Sequence, residues 1–145
     1  MAGNNRGARK APQQVDLLVA DGKVRGFELP DDALPWDPDR GCREEWHPMT
    51  VRWWEAWRRS PQAAAMVSEP DWYFLLDTAL VHHNMWSNGR WEFANEVRMR
   101  VASFGATVAQ RKQLKLELDA PEQYPVGKTD AEIIDLSERR KRLVG

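Results

Sequence analysis

Apolar residues recur at helical spacing from about residue 49 onward and lose that spacing before it. Val51, Trp54 and Trp57 step by threes, with Trp53 and Arg58 beside them, and predict a helix over 49–59. Ser60-Pro61 places a cap before a proline at the first helical position and starts a short helix over 61–67. Ser68-Glu-Pro70 repeats the signal for a helix over 70–86, with Trp72, Leu75, Leu76, Ala79, Leu80, His83 and Trp86 as its stripe. Asn88-Gly89 ends it. A second long helix over 90–104 carries Trp91, Ala94, Val97, Val101 and Phe104, and Gly105 stops it. The short connection makes these two an antiparallel hairpin. Thr107-x-x-Gln110 is a capping box opening a helix to about residue 118. Past Pro121 and Pro125, Thr129-x-x-Glu132 opens a C-terminal helix with Ile133, Leu136, Arg140 and Leu143 on one side.

Residues 1–45 read differently. Pro30, Pro35 and Pro38 exclude helix there, and Asp31-Asp32 and Asp37-Pro38-Asp39 are turn-like. Residues 15–20 read as a short strand or an adhesive apolar segment. Leu29, Leu34 and Trp36 are candidates to pin the chain across the helices. The expected fold is therefore all-α, with an extended arm over 1–45 and a helical core with an oligomerisation hairpin over 46–120. A linker and a basic amphipathic helix complete it over 121–145. The length of 145 residues suits one domain with tails.

Composition sharpens this through tryptophan. Seven of the eight tryptophans lie between Trp46 and Trp91, which marks that block as the folded centre. Adjacent Trp53 and Trp54 cannot both face one small core. The surplus aromatic surface predicts contact with the N-terminal arm or a neighbouring subunit. Base stacking by Trp53, Trp54 and Trp57 is the alternative use. The hairpin stripe, Trp72, Leu76, Leu80, His83, Trp86, Trp91, Val97 and Val101, supplies the candidate oligomer interface.

Little in the chain suggests catalysis. The nine glycines form neither a phosphate-binding loop nor a dinucleotide fingerprint. Cys42, the single cysteine, excludes an internal disulfide and a cysteine-rich zinc site, and sits in a charged stretch as an incidental thiol. His82 and His83 point about 100° apart on a helix, so one ion cannot readily take both. A metal site would need His47 and a carboxylate such as Asp77 brought in by folding. The expectation is that His83 packs in the stripe and His82 faces solvent or a partner. No cofactor is expected. No apolar run approaches the roughly 18–20 residues of a membrane span, and no leader is visible, so an intracellular protein is expected.

Charge is segmented beneath a net of −1. Arg6, Arg9 and Lys10 make residues 1–14 net +3, and Arg139, Arg140, Lys141 and Arg142 make the last nine residues +3. Between them, seven acids against two arginines make residues 28–45 net −5. Arg111, Lys112 and Lys115 share a predicted helix, with Arg98 and Arg100 on the preceding one. These clusters are candidate phosphate contacts, which require charge and no sequence reading. Solvated tails and a solvated helix face are the alternative.

The stretch from Ser103 to Leu114, SFGATVAQRKQL, resembles the late element of phage small terminase subunits, with Val108 where proline is usual. The Trp-rich helix, the run Asp71-Trp-Tyr-Phe-Leu-Leu-Asp-Thr-Ala-Leu80, the short turn and the second long helix resemble the same family. Gly22-Lys-Val-Arg-Gly26, Glu28-Leu-Pro30 and the run from Trp46 to Trp54 resemble its actinobacteriophage versions. The resemblance, over residues 15–118, implies a non-catalytic DNA-recognition subunit of a genome-packaging motor in the host cell cytoplasm. It implies a homo-oligomeric ring of about 8–12 subunits that binds double-stranded viral DNA and recruits and regulates the large ATPase-nuclease subunit. Many relatives bind DNA through an N-terminal helix-turn-helix; residues 1–45 are too proline-rich and acidic to form one. A helical protein-interaction adaptor and a histidine-based metalloenzyme are the competing readings.

Overall fold

The computed structural model describes residues 14–119. In chain order they form β1 (Asp16–Val19), a 3-10 turn at Asp31–Ala33, β2 (Trp36–Asp37) and β3 (Cys42–Arg43). The helices follow as α1 (Pro48–Arg59), a 3-10 turn at Pro61–Ala64, α2 (Glu69–Asn88), a 3-10 turn at Trp91–Phe93, α3 (Ala94–Ala102) and α4 (Val108–Leu114), and then β4 (Leu116–Asp119). The helices carry most of the fold, but it is not all-α. β1 pairs in parallel with β4, and β2 pairs antiparallel with β3. The helix over 107–118 is corrected accordingly: it ends at Leu114, and Leu116–Asp119 is a strand. Lys115 turns left-handed there, and alternation of Leu116 and Leu118 with Glu117 and Asp119 suits a strand with one covered face.

Local signals set the helix ends. His47 Nδ1 accepts from the amide of Met49, and Pro48 opens α1. The Ser68 and Asp71 side chains form a capping box at α2, and Gly89 closes it at φ 62°. The expected helix over 90–104 shortens to the 3-10 turn and the nine residues of α3, which packs on α2.

The core forms where α1, α2 and the N-terminal segment meet. Trp54 and Leu75 are fully buried, and Leu34, Trp46, Trp57, Ala63, Met66, Trp72, Leu76, Ala79 and Val101 surround them. Three of the buried indoles donate to main-chain carbonyls. Trp54 donates to Phe27 C=O at 3.0 Å, Trp46 to Pro30 C=O at 3.0 Å and Trp72 to Met66 C=O at 2.9 Å. Two of those carbonyls lie before residue 45, so that stretch is laid down on the helices and completes the core. Arg25 and Arg58 exchange main-chain and guanidinium bonds at 2.9 and 3.1 Å, which ties the segment to the end of α1. Leu34 does pin it; Trp36 does not, being 59% exposed on β2.

Gly26 marks the closest approach. It sits at φ 69°, and a Cβ there would lie 2.5–2.7 Å from three ring atoms of Trp72. Nearby, the Arg25 guanidinium holds the Asp21 carboxyl well below the usual carboxylate range.

Candidate nucleic-acid interface

Three of the predicted phosphate contacts lie among the described residues, all at α4. Its start is held by reciprocal bonds between Thr107 and Gln110, and Gln110 reaches back to Arg98 C=O at 3.5 Å. Arg111 turns inward, its Nη1 donating to the carbonyls of Gly105 and Ala106 at 3.1 and 3.2 Å. Those bonds close the α3–α4 turn, so Arg111 is mainly a structural cation. Lys112 and Lys115 are exposed. Lys115 is the C-cap at φ 57°, a left-handed conformation usually filled by glycine or asparagine.

Lys115 also joins α4 to the N-terminal segment. Its carbonyl accepts from Asp16 N–H at 2.9 Å, which begins the β1–β4 ladder of Asp16 with Leu116, Leu17 with Glu117, Leu18 with Leu118 and Val19 with Asp119. The pairing is parallel, so the chain before β1 enters at the Lys115 end. Arg6, Arg9, Lys10 and Arg139–Arg142 lie outside the described residues; so does the predicted helix opening at Thr129. Of the flanking cations, Arg100 is paired with Glu96 at 2.6 Å, and Arg98 is exposed beside Asn95. Sequence reasoning grouped Lys112 with Lys115 by helical spacing. It could not find the strand pairing, because partners a hundred residues apart leave no local signature.

The eight interface candidates divide. Trp72, Leu76, His83, Val97 and Val101 are buried within the single chain, so packing of the chain itself accounts for them. Leu80 and Trp86 are half-buried, and Trp91 is 56% exposed with its ring edge-on to Trp86 at 5.2 Å. Tyr73, Phe74 and Met99 add exposed apolar surface off the predicted stripe.

The histidines are corrected in one respect: His82 faces inward. Its Nδ1 lies 2.8 Å from Thr50 Oγ1, and its ring stacks on Trp53 at 4.8 Å. Packing of α1 on α2 widens the buried face beyond the predicted stripe, and burial, with the neighbouring His47 and His83, lowers the His82 pKa to about 4. His83 accepts the His47 amide on Nδ1 at 3.0 Å and presents Nε2 to Glu44 at 3.4 Å. Among the described residues no group of three or more His, Cys, Asp or Glu is arranged to hold a metal ion. No described helix is long and apolar enough to cross a membrane. Cys42 is exposed on β3.

No curated protein and no solved structure gives a significant match to this chain. The family model of the phage terminase small subunit matches residues 2–144, nearly the whole chain, and the protein belongs to that family.

Proposed function

We propose that, within the phage DNA-packaging role of its family, this chain is the non-catalytic subunit that binds double-stranded viral DNA in the host cytoplasm. It does so as a homo-oligomeric ring and recruits and regulates the large ATPase-nuclease subunit. The observation that carries the DNA reading is the Asp16–Lys115 main-chain bond. It sets the start of β1 beside exposed Lys112 and Lys115, and the cations Arg6, Arg9 and Lys10 precede that strand in the sequence. Glu117 and Asp119 lie farther along β4, which leaves the Lys115 end the more positive. Repetition around a ring would multiply this modest charge. Exposed Tyr73, Trp91 and Met99 support assembly, since aromatic and methionine side chains are favoured at protein interfaces.

The test is duplex-DNA affinity of the full chain against salt. Replacing both Lys112 and Lys115 with alanine should reduce the magnitude of the log–log slope by about 2, at roughly 0.9 per phosphate contact. Replacing Arg139, Arg140, Lys141 and Arg142 with alanine should reduce it further. Absence of any complex at low salt would overturn the reading in favour of the adaptor. Light scattering tests the ring: a strict monomer at micromolar concentration would overturn assembly.

A further inference from the structure

A second surface of the chain carries an inference of its own. An open groove of about 430 Å³ runs between the β1–β4 sheet and the start of α2. Leu18 and Leu116 form one wall; Met66, Phe74 and Phe104 form the other. Its polar groups are already engaged. The Gln62 amide donates to Gly105 C=O, Ser103 Oγ to Arg100 C=O, and Asp71 accepts from the Ser68 amide and hydroxyl. The lining holds no cation, and its apolar side chains Leu18, Met66, Phe74, Phe104 and Leu116 outnumber Gln62, Ser103 and Asp71. Yet Phe74 remains 42% exposed against Phe104. The groove asks for an apolar occupant.

We propose that this occupant is the chain's own C-terminal segment, with Ile133, Leu136 and Leu143 laid against Met66, Phe74 and Phe104. β4 delivers the chain to the rim: Leu116 lines the groove, and Asp119, whose carbonyl accepts from Ala20 N–H at 3.0 Å, is the last described residue. Thirteen residues lie between Asp119 and Ile133. An extended chain of that length spans up to about 45–50 Å, so reach does not limit the contact. Of the two terminal segments, only this one has the needed face. Residues 1–13 contain Met1 as their single large apolar side chain, whereas 129–143 pair a capping box with apolar positions spaced for one side of a helix. A helix of that length is marginal in water without a surface to bury its apolar side. Charge agrees: Glu69 and Asp71 stand at the α2 rim, opposite in sign to Arg139–Arg142.

A disulfide-trapping experiment on the full chain tests this. In a Cys42→Ser background, Leu136→Cys combined with Phe74→Cys should form an intramolecular bond on mild oxidation at low micromolar concentration. Leu136→Cys with Val51→Cys, on α1 outside the groove, should not. A covalent dimer from the Phe74 pair would mean that a second copy fills the groove, and no bond would mean that the segment stays away; either overturns the proposal. Hydrogen exchange on the unmodified full chain gives an independent reading. Amides over 130–143 should be protected by about tenfold or more, and Ile133→Asp with Leu136→Asp should abolish that while leaving α1 protected. Unprotected amides over 130–143 in the unmodified chain would also overturn it.

Discussion

The α1–α2 core and the β1–α4–β4 flank are built on opposite physics. In the core, Trp54, Leu75, Thr50 and Thr78 have almost no exposure, and the indoles of Trp46, Trp54 and Trp72 each reach a carbonyl. In the flank, a two-stranded sheet of four residues per strand holds α4 in place, and Leu17, Val19, Val108 and Leu114 remain exposed. An isolated two-stranded sheet is marginal by itself. The core therefore supplies stability, whereas the flank contributes less of it and presents Lys112 and Lys115. The difference separates where this protein can be unfolded from where the proposed DNA contacts can be altered.

The largest effect should come from Trp54→Ala. It removes a fully buried indole and leaves Phe27 C=O without its donor, and should cost about 3–5 kcal/mol in denaturant unfolding. A cost below 1 kcal/mol would erase the contrast between core and flank. Gly26→Ala should follow, at about 2–4 kcal/mol, because the new methyl meets the buried Trp72 ring and the backbone is left-handed. Phe27 lies between Trp54 and Tyr73 with ring centres 5.6 and 5.3 Å away, so a displaced Gly26 would also disturb that aromatic packing.

The pH response is the next smaller effect. His82 stays neutral in the folded chain down to about pH 4, whereas an unfolded histidine takes up a proton near pH 6.5. The unfolded state binds more protons between those values, so stability falls as pH drops from 6.5 to 4 and then levels. Allowing for partial hydration of the ring, the loss should be about 1–2 kcal/mol, read from urea midpoints at pH 7, 5.5 and 4. His82→Gln should flatten it. The smallest effect should have opposite signs in the two assays. Lys115→Gly relieves a left-handed backbone and should stabilise by about 0.5–1 kcal/mol, while DNA binding weakens and its salt slope falls by about 1. Loss of both stability and binding would mean that the flank belongs energetically to the core.

Three helix starts and one helix end were legible because caps are local: Ser60-Pro61, Ser68-Glu-Pro70 and Thr107 with Gln110 open helical turns, and Gly89 closes one. Leu34 was one of three candidates to pin the preceding segment, and the tryptophan-rich block from Trp46 was readable from composition. The inward turn of His82 was not, because it depends on α1 covering a second face of α2. Nor was Arg111 legible as a structural cation, since its charge looks the same whether it meets a phosphate or the carbonyls of Gly105 and Ala106.

Sequence alone was enough for a mainly helical stretch over 48–114, for an extended proline-bearing segment before it, and for cations near both ends and on α4. Those properties follow from propensity, capping and composition, which act over a few residues. Only the tertiary structure decided that Asp16 meets Lys115, that the segment before residue 45 finishes the core, and that five of the eight hairpin residues are already covered within one chain. Pairings between distant residues depend on which surfaces remain uncovered once the helices pack, and no local pattern specifies that.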